Sequence, residues 1–174
     1  SWLQYNPSLL ATMLMATAIT KNDQDLSSPT DPHLYSYGAG RVNAYKAHWN
    51  DLDRFQYLDL SSFVQGNAGY ASGDFTVPNF TARLVVVMHY IEEACSTGAS
   101  RALVNDYDLW LDEAPFTGSG NSGEYSMHQS ALDNTEIRIL DNPNPGAWRW
   151  KTYPDNAPSK DVKMSVAVYA ILYD

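Results

Sequence analysis

One cysteine, Cys95, stands in 174 residues. A single thiol excludes an internal disulfide framework and any zinc site built on several cysteines. Charge is sparse as well: 18% of residues are charged, and 11 basic residues face 20 acidic ones, a formal net charge of −9. A surface so short of cations does not suit phosphate backbones, so nucleic acid is not an expected partner, and anionic membrane surfaces are disfavoured for the same reason. No apolar run approaches the roughly 20 residues of a membrane-spanning helix. Histidine occurs four times, as His33, His48, His89 and His128, with no pair at metal-ligand spacing and no His-Glu-x-x-His run. The nucleophile-elbow pattern Gly-x-Ser-x-Gly is missing, since Gly118-Ser119-Gly120-Asn121-Ser122-Gly123 has the wrong spacing in a loop-like stretch. The turn Gly38-Ala39-Gly40 lacks the preceding strand and third glycine of a dinucleotide fingerprint. Cys95 has no adjacent basic residue that would make it a thiolate.

What is present points to a folded, strand-rich chain. Hydrophobic residues make up 44% and aromatics 13%, with 12 tyrosines. That balance suits a packed core rather than disorder, and tyrosine favours strands. The length allows one ordinary domain, or a small domain with part of another. Residues 1–50 read as helical. Asn6-Pro7 is a helix start, with Asn as N-cap and Pro at the first helical position. Leu10, Met13, Leu14 and Thr17 follow at helical spacing and are expected to form the apolar face. Residues 21–32 are a polar loop rich in Asn, Asp, Ser and Pro. Asn43 can cap a short helix over 44–48.

From Phe55 the period changes. Phe55, Tyr57, Leu58, Leu60 and Phe63 suggest a strand or strand pair, and Phe75 and Val77 another before Pro78. Leu84 to Tyr90 is nearly continuous in apolar residues and reads as a strand buried on both faces. In residues 103–111, Tyr107, Leu109 and Leu111 face one way and Asp106, Asp108 and Asp112 the other. Ile137 and Ile139 alternate with Glu136 and Arg138. Pro143-Asn144-Pro145-Gly146 is a turn, after which Trp148, Trp150 and Thr152 alternate again. Val162, Met164, Val166, Val168 and Ala170 form one face of a last long strand. Strands separated by turns, with no helices between, predict a mainly β fold: an antiparallel sandwich or jelly roll preceded by a short helical segment.

Three features carry possible chemistry. Asp106 and Asp108 project from one side of a strand, and oxygens grouped this way can hold calcium. They can equally accept backbone hydrogen bonds or pair with an arginine. Trp110, Trp148 and Trp150 are either a sugar-stacking platform or core packing. Asn79-Phe80-Thr81 is a glycosylation sequon, which matters only in a glycosylating host.

Two motifs in order resemble a family. Leu3-Gln4-Tyr5-Asn6-Pro7-Ser8-Leu9-Leu10, with Met15-Ala16-Thr17-Ala18, resembles the stretch after the catalytic-serine helix of subtilisin-like serine proteases. The Gly-x-Gly-x-Val-Asn-Ala motif that follows in that family reads here Gly38-Ala39-Gly40-Arg41-Val42-Asn43-Ala44. The β zone resembles the C-terminal jelly-roll domain of some secreted subtilases and their kexin-like relatives. It carries Leu103-Val104-Asn105-Asp106-Tyr107-Asp108-Leu109, Asp133-Asn134-Thr135-Glu136 and Pro143-Asn144-Pro145-Gly146-Ala147-Trp148. Tyr107 replaces a leucine of the pattern and Asp133 an asparagine.

The resemblance implies two parts: 1–50 as the closing helical end of an α/β subtilase catalytic domain, and 51–174 as a jelly-roll sandwich. It also implies that the serine, histidine and aspartate of the triad lie upstream of Ser1, so that no residue of this chain is catalytic. The expected partners are then the rest of the catalytic domain and, for the parent protein, polypeptide substrates. The expected location is extracellular, and calcium at Asp106 and Asp108 is the one cofactor considered. The apolar helix face would be covered by the catalytic body, by the β zone or by self-association. A glycan- or protein-binding jelly roll without protease function is the alternative.

Overall fold

A computed structural model describes residues 6–18, 39–47, 56–65, 70–92, 94–99, 103–116, 125–126, 134–156 and 161–173. Helix α1 (Pro7–Ala16) starts where the sequence places it. The side chain of Asn6 accepts a hydrogen bond from Leu9 N at 3.1 Å, and Pro7 occupies the first turn. A short helix α2 (Ala44–Ala47) is capped in the same way, with Lys46 N donating to Asn43 Oδ1 at 3.2 Å. The polar stretch 21–32 lies outside the described residues.

Among the described residues eight strands follow: β1 (Gln56–Gln65), β2 (Ala71–Val77), β3 (Thr81–Tyr90), β4 (Asp106–Glu113), β5 (Tyr125–Ser126), β6 (Thr135–Asp141), β7 (Gly146–Asn156) and β8 (Val162–Leu172). They form two four-stranded sheets of order β1-β8-β3-β6 and β2-β7-β4-β5. Each described strand pairing is antiparallel. This is the strand order of a jelly roll: two Greek keys folded into facing sheets, an open sandwich rather than a closed barrel.

The core between the sheets is built from alternate residues, as a period of two requires. Phe75, Val77, Leu84, Val86, Met88, Tyr90, Tyr107, Leu109 and Leu111 meet Trp148, Trp150 and the inward face of β8. That inward face is Val162, Met164, Val166, Val168 and Ala170, the set the alternation predicts. The opposite faces of β3 and β8 are apolar too. Val85, Val87, Ile139, Ala167 and Tyr169 join Ala16 of α1 in a second cluster on the outside of the first sheet. The continuous apolar run of β3 thus serves two cores, one on each face of its sheet.

Helix α1 lies across β8, β3 and β1 on that outer face. The face it buries is the expected one only in part: Met13 and Thr17 are buried as expected. Leu9, Thr12, Met13 and Ala16 point into the sheet, while Leu10 is 39% exposed and Leu14 half-buried. Leu10 and Leu9 are 100° apart on the helix, and the sheet selects the stripe of Leu9, whose polar members find hydrogen-bond acceptors. Thr12 Oγ1 donates to Leu9 O, and Ser8 Oγ donates to His89 O across to β3.

Candidate functional site

The motif residues converge on the end of β3. Tyr90 is buried there, its ring edge-on to Tyr107 at 5.3 Å between centroids. Its hydroxyl donates to Asn105 O at 2.6 Å. Two residues on, Glu92 accepts both Asn105 N (3.2 Å) and Asn105 Nδ2 (3.0 Å). From the other side, Asn134 Nδ2 donates to Tyr90 O at 2.7 Å, and Tyr90 N donates back to Asn134 O at 3.2 Å. The Leu103–Leu109 segment and the Asn134–Glu136 segment are therefore stitched to one strand end. The third motif closes its own turn: Trp148 Nε1 donates to Asn144 O at 2.9 Å. Gly146 there has φ +130°, a conformation glycine adopts at little cost.

Burial acts on the titration of this region. It pushes the Tyr90 phenol well above its ordinary value, helped by Glu92 and Asp106. It takes Tyr107 to about 12, with Asp161 and Glu92 adding to the shift. Both hydroxyls are neutral hydrogen-bonding groups at physiological pH.

Asp106, Asp108 and Asp112 share the other side of β4, opposite Tyr107, Leu109 and Leu111, as the alternation predicts, yet all three are buried. Asp112 has a buried partner, Lys151, whose Nζ lies 3.2 Å from Asp112 Oδ2. Asp108 is raised to about 6, first by burial, then by Asp106 and Asp155, with Arg138 opposing. Arg138 is itself buried, and its Nη2 donates to Leu109 O at 3.2 Å. Burial lowers the arginine, while Glu136 and Asp108 hold its charge in place. Asp106 and Asp155 thus surround Asp108 with negative charge that Arg138 opposes. Among the described residues no three His, Cys, Asp or Glu side chains come together in a way that would hold a metal ion.

The other candidates are dispersed. Trp148 and Trp150 are in the inner core, where Trp150 stacks on Phe63 at 5.2 Å and 15°. Trp110 is half-buried, with its Nε1 in the interior. They do not make an exposed platform. Asn79 sits exposed in the β2–β3 turn, where Thr81 Oγ1 donates to Pro78 O. His89 Nδ1 lies 3.0 Å from Thr135 Oγ1, its register partner on β6. Cys95 is exposed in a loop. Ser1, His33, His48, His128 and Asp133 lie outside the described residues. Sequence reasoning gave no site role to Glu92, Tyr90 or Arg138: Glu92 lies just beyond β3, and Tyr90 and Arg138 read only as strand positions, whose partners across the fold no local pattern encodes.

What the fold and this site define is an antiparallel jelly-roll sandwich with a helix on one outer face. No family model matches the sequence. Among solved structures, the propeptide form of the Bacillus licheniformis lipase BlEst2 is similar over 82% of this chain and 27% of its own, with 14% identity and a TM-score of 0.41. This chain therefore spans about a quarter of that protein's length. Aeromonas hydrophila PliG, a periplasmic inhibitor of g-type lysozyme, matches over 67% of this chain and 86% of its own, at 17% identity and TM-score 0.34. The SPBc2 prophage-derived protein YomS matches over 65% and 95%, at 13% and 0.33.

Proposed function

We propose that this chain is the C-terminal part of a secreted subtilisin-like serine endopeptidase, and that its jelly roll is a non-catalytic domain that stabilises the catalytic one. The observation that carries the reading is where the motifs fall. The three segments that resemble the subtilase jelly roll are the ones that lock the end of β3 and the β6–β7 turn. The segment that resembles the end of the catalytic domain is α1, seated on the outside of the first sheet. In that arrangement the parent hydrolyses peptide bonds with a triad supplied upstream. This chain supplies a rigid wall, and its partners are the catalytic body and, through it, polypeptide substrates.

The test is a pair of assays. The 174-residue chain alone should leave casein intact. Added to, or fused with, the upstream part of its own reading frame, it should prolong the half-life of proteolysis at elevated temperature. Casein hydrolysis by the chain alone would overturn the reading, as would an upstream sequence without a serine-protease triad. Calcium at Asp106 and Asp108 is a separate part of the proposal. A resident ion stabilises the folded state by mass action. EDTA should then lower the melting temperature of the wild type and leave that of Asp106→Asn unmoved. An EDTA-insensitive wild type removes calcium from the proposal.

A further inference from the structure

The first turn of α1 is pinned to one rung of the first sheet. Asn6 Nδ2 donates to Ser62 Oγ at 2.6 Å, and Ser8 Oγ donates to His89 O at 2.6 Å. Ser62, Ser165 and His89 are register partners across β1, β8 and β3. From that rung α1 runs toward Val87 and Val85, since Ala16 at its far end packs with them. The next rung on the other side is left bare. There, two residues along each strand and on the same face, Val64 pairs with Lys163, and Ile91 N donates to Lys163 O at 2.9 Å. Val64 is 60% exposed and Ile91 41% exposed, with the Lys163 stem between them. These three residues, with Asn6, Pro7 and Phe63, line a groove of about 450 Å³.

The chain enters α1 at the edge of this groove. Asn6 is extended, at φ −131° and ψ 82°, as the following Pro7 requires, so the helix does not continue upstream. The residues that lead into it are Trp2-Leu3-Gln4-Tyr5. In an extended segment Leu3 and Tyr5 share one side and Trp2 and Gln4 the other, so either register offers the sheet a large apolar side chain. Four residues reach at most about 14 Å, twice the roughly 7 Å between the Ser62 and Val64 rungs.

We propose that the groove is the seat of residues 2–5, which dock over Val64 and Ile91 and carry the helix–sheet contact one rung further. The covalent tie selects this occupant. A segment joined to the groove's own wall is present at an effective concentration on the order of millimolar, which a free partner seldom reaches. Docking withdraws two neighbouring aliphatic side chains from water and extends the outer core. The proposal does not depend on the protease reading, since it holds for any protein in which these residues lead into α1.

A mutant cycle on the full chain tests it. Trp2→Ser, Leu3→Ser and Tyr5→Ser together should lower the melting temperature by about 3–8 °C. Val64→Thr with Ile91→Thr keeps strand propensity and should lower it by a similar amount in the wild-type background. Combined with the three serine substitutions, the threonine pair should change it by less than about 1 °C, because the group it contacts is already gone. Additive effects overturn the proposal, as does a serine variant that melts with the wild type. Coupling to Leu10→Ala in place of the threonine pair would mean that residues 2–5 fold back on the helix. A wild-type melting temperature that rises with protein concentration would mean that a second copy fills the groove. Either result overturns the proposal as well.

Discussion

Gly73 on β2 sits opposite Trp150 on β7, and a Cβ built there would lie 2.4 Å from Trp150 Cζ2. The indole cannot retreat, because its other side is stacked on Phe63. Gly73→Ala should therefore cost about 1–3 kcal/mol through overpacking, against a gain of a few tenths from the stiffer unfolded chain. Urea unfolding should show the midpoint fall with little change in slope. A second residue-scale expectation concerns Asp108, whose carboxyl is raised to about 6 by burial and by Asp106 and Asp155. A raised carboxyl favours the neutral form in the folded state. Its penalty is therefore absent below the unfolded value near 4, grows as pH rises, and is fully present above about 6. With EDTA present, so that no cation offsets the charge, Asp108→Asn should match wild type at pH 4 and exceed it at pH 8 by about 1–3 kcal/mol. Urea melts across that range read the difference. Equal stability at pH 8 would show that Arg138 compensates the charge completely.

At the scale of elements, the strand pattern was legible and the helix face only in part, Met13 and Thr17 being buried as expected and Leu10 not. β3, β4, β7 and β8 alternate or run apolar as their sequences require, because each side chain's direction follows from a period of two. Helix α1 carries apolar residues nearly all round, PSLLATMLMA, so periodicity cannot choose between Leu9 and Leu10. The choice is made by the outer surface of β3 and β8, a non-local partner. It has an experimental signature. Leu9 is fully buried, so Leu9→Ala should cost about 2–5 kcal/mol. Leu10→Ala should fall within about 0.5 kcal/mol of wild type. The reverse order would show that the helix presents the Leu10 face instead. The charged row on β4 was legible only in part. Asp106 and Asp108 are visible as neighbours in sequence, but Lys151 and Arg138 reach that row from strands paired or packed at distances no local pattern encodes.

At the scale of the molecule, the two-sided burial of β3 and β8 decides how the chain should unfold. Whether or not α1 closes another domain, it packs here with the sandwich: Ala16 shares the outer cluster with Val85, Val87, Ala167 and Tyr169, whose strand neighbours are the centre of the inner core. Stripping α1 from the sheet exposes the outside of the same strands that hold the sandwich together. A 10-residue helix is also too short to persist without that surface. The helical signal in far-ultraviolet circular dichroism and the tryptophan signal in the near-ultraviolet should therefore fall in one coincident thermal transition. Leu9→Ala should move both together. A helix signal lost several degrees before the tryptophan signal would mean that α1 is only docked, and that the surface beneath it belongs to a larger partner.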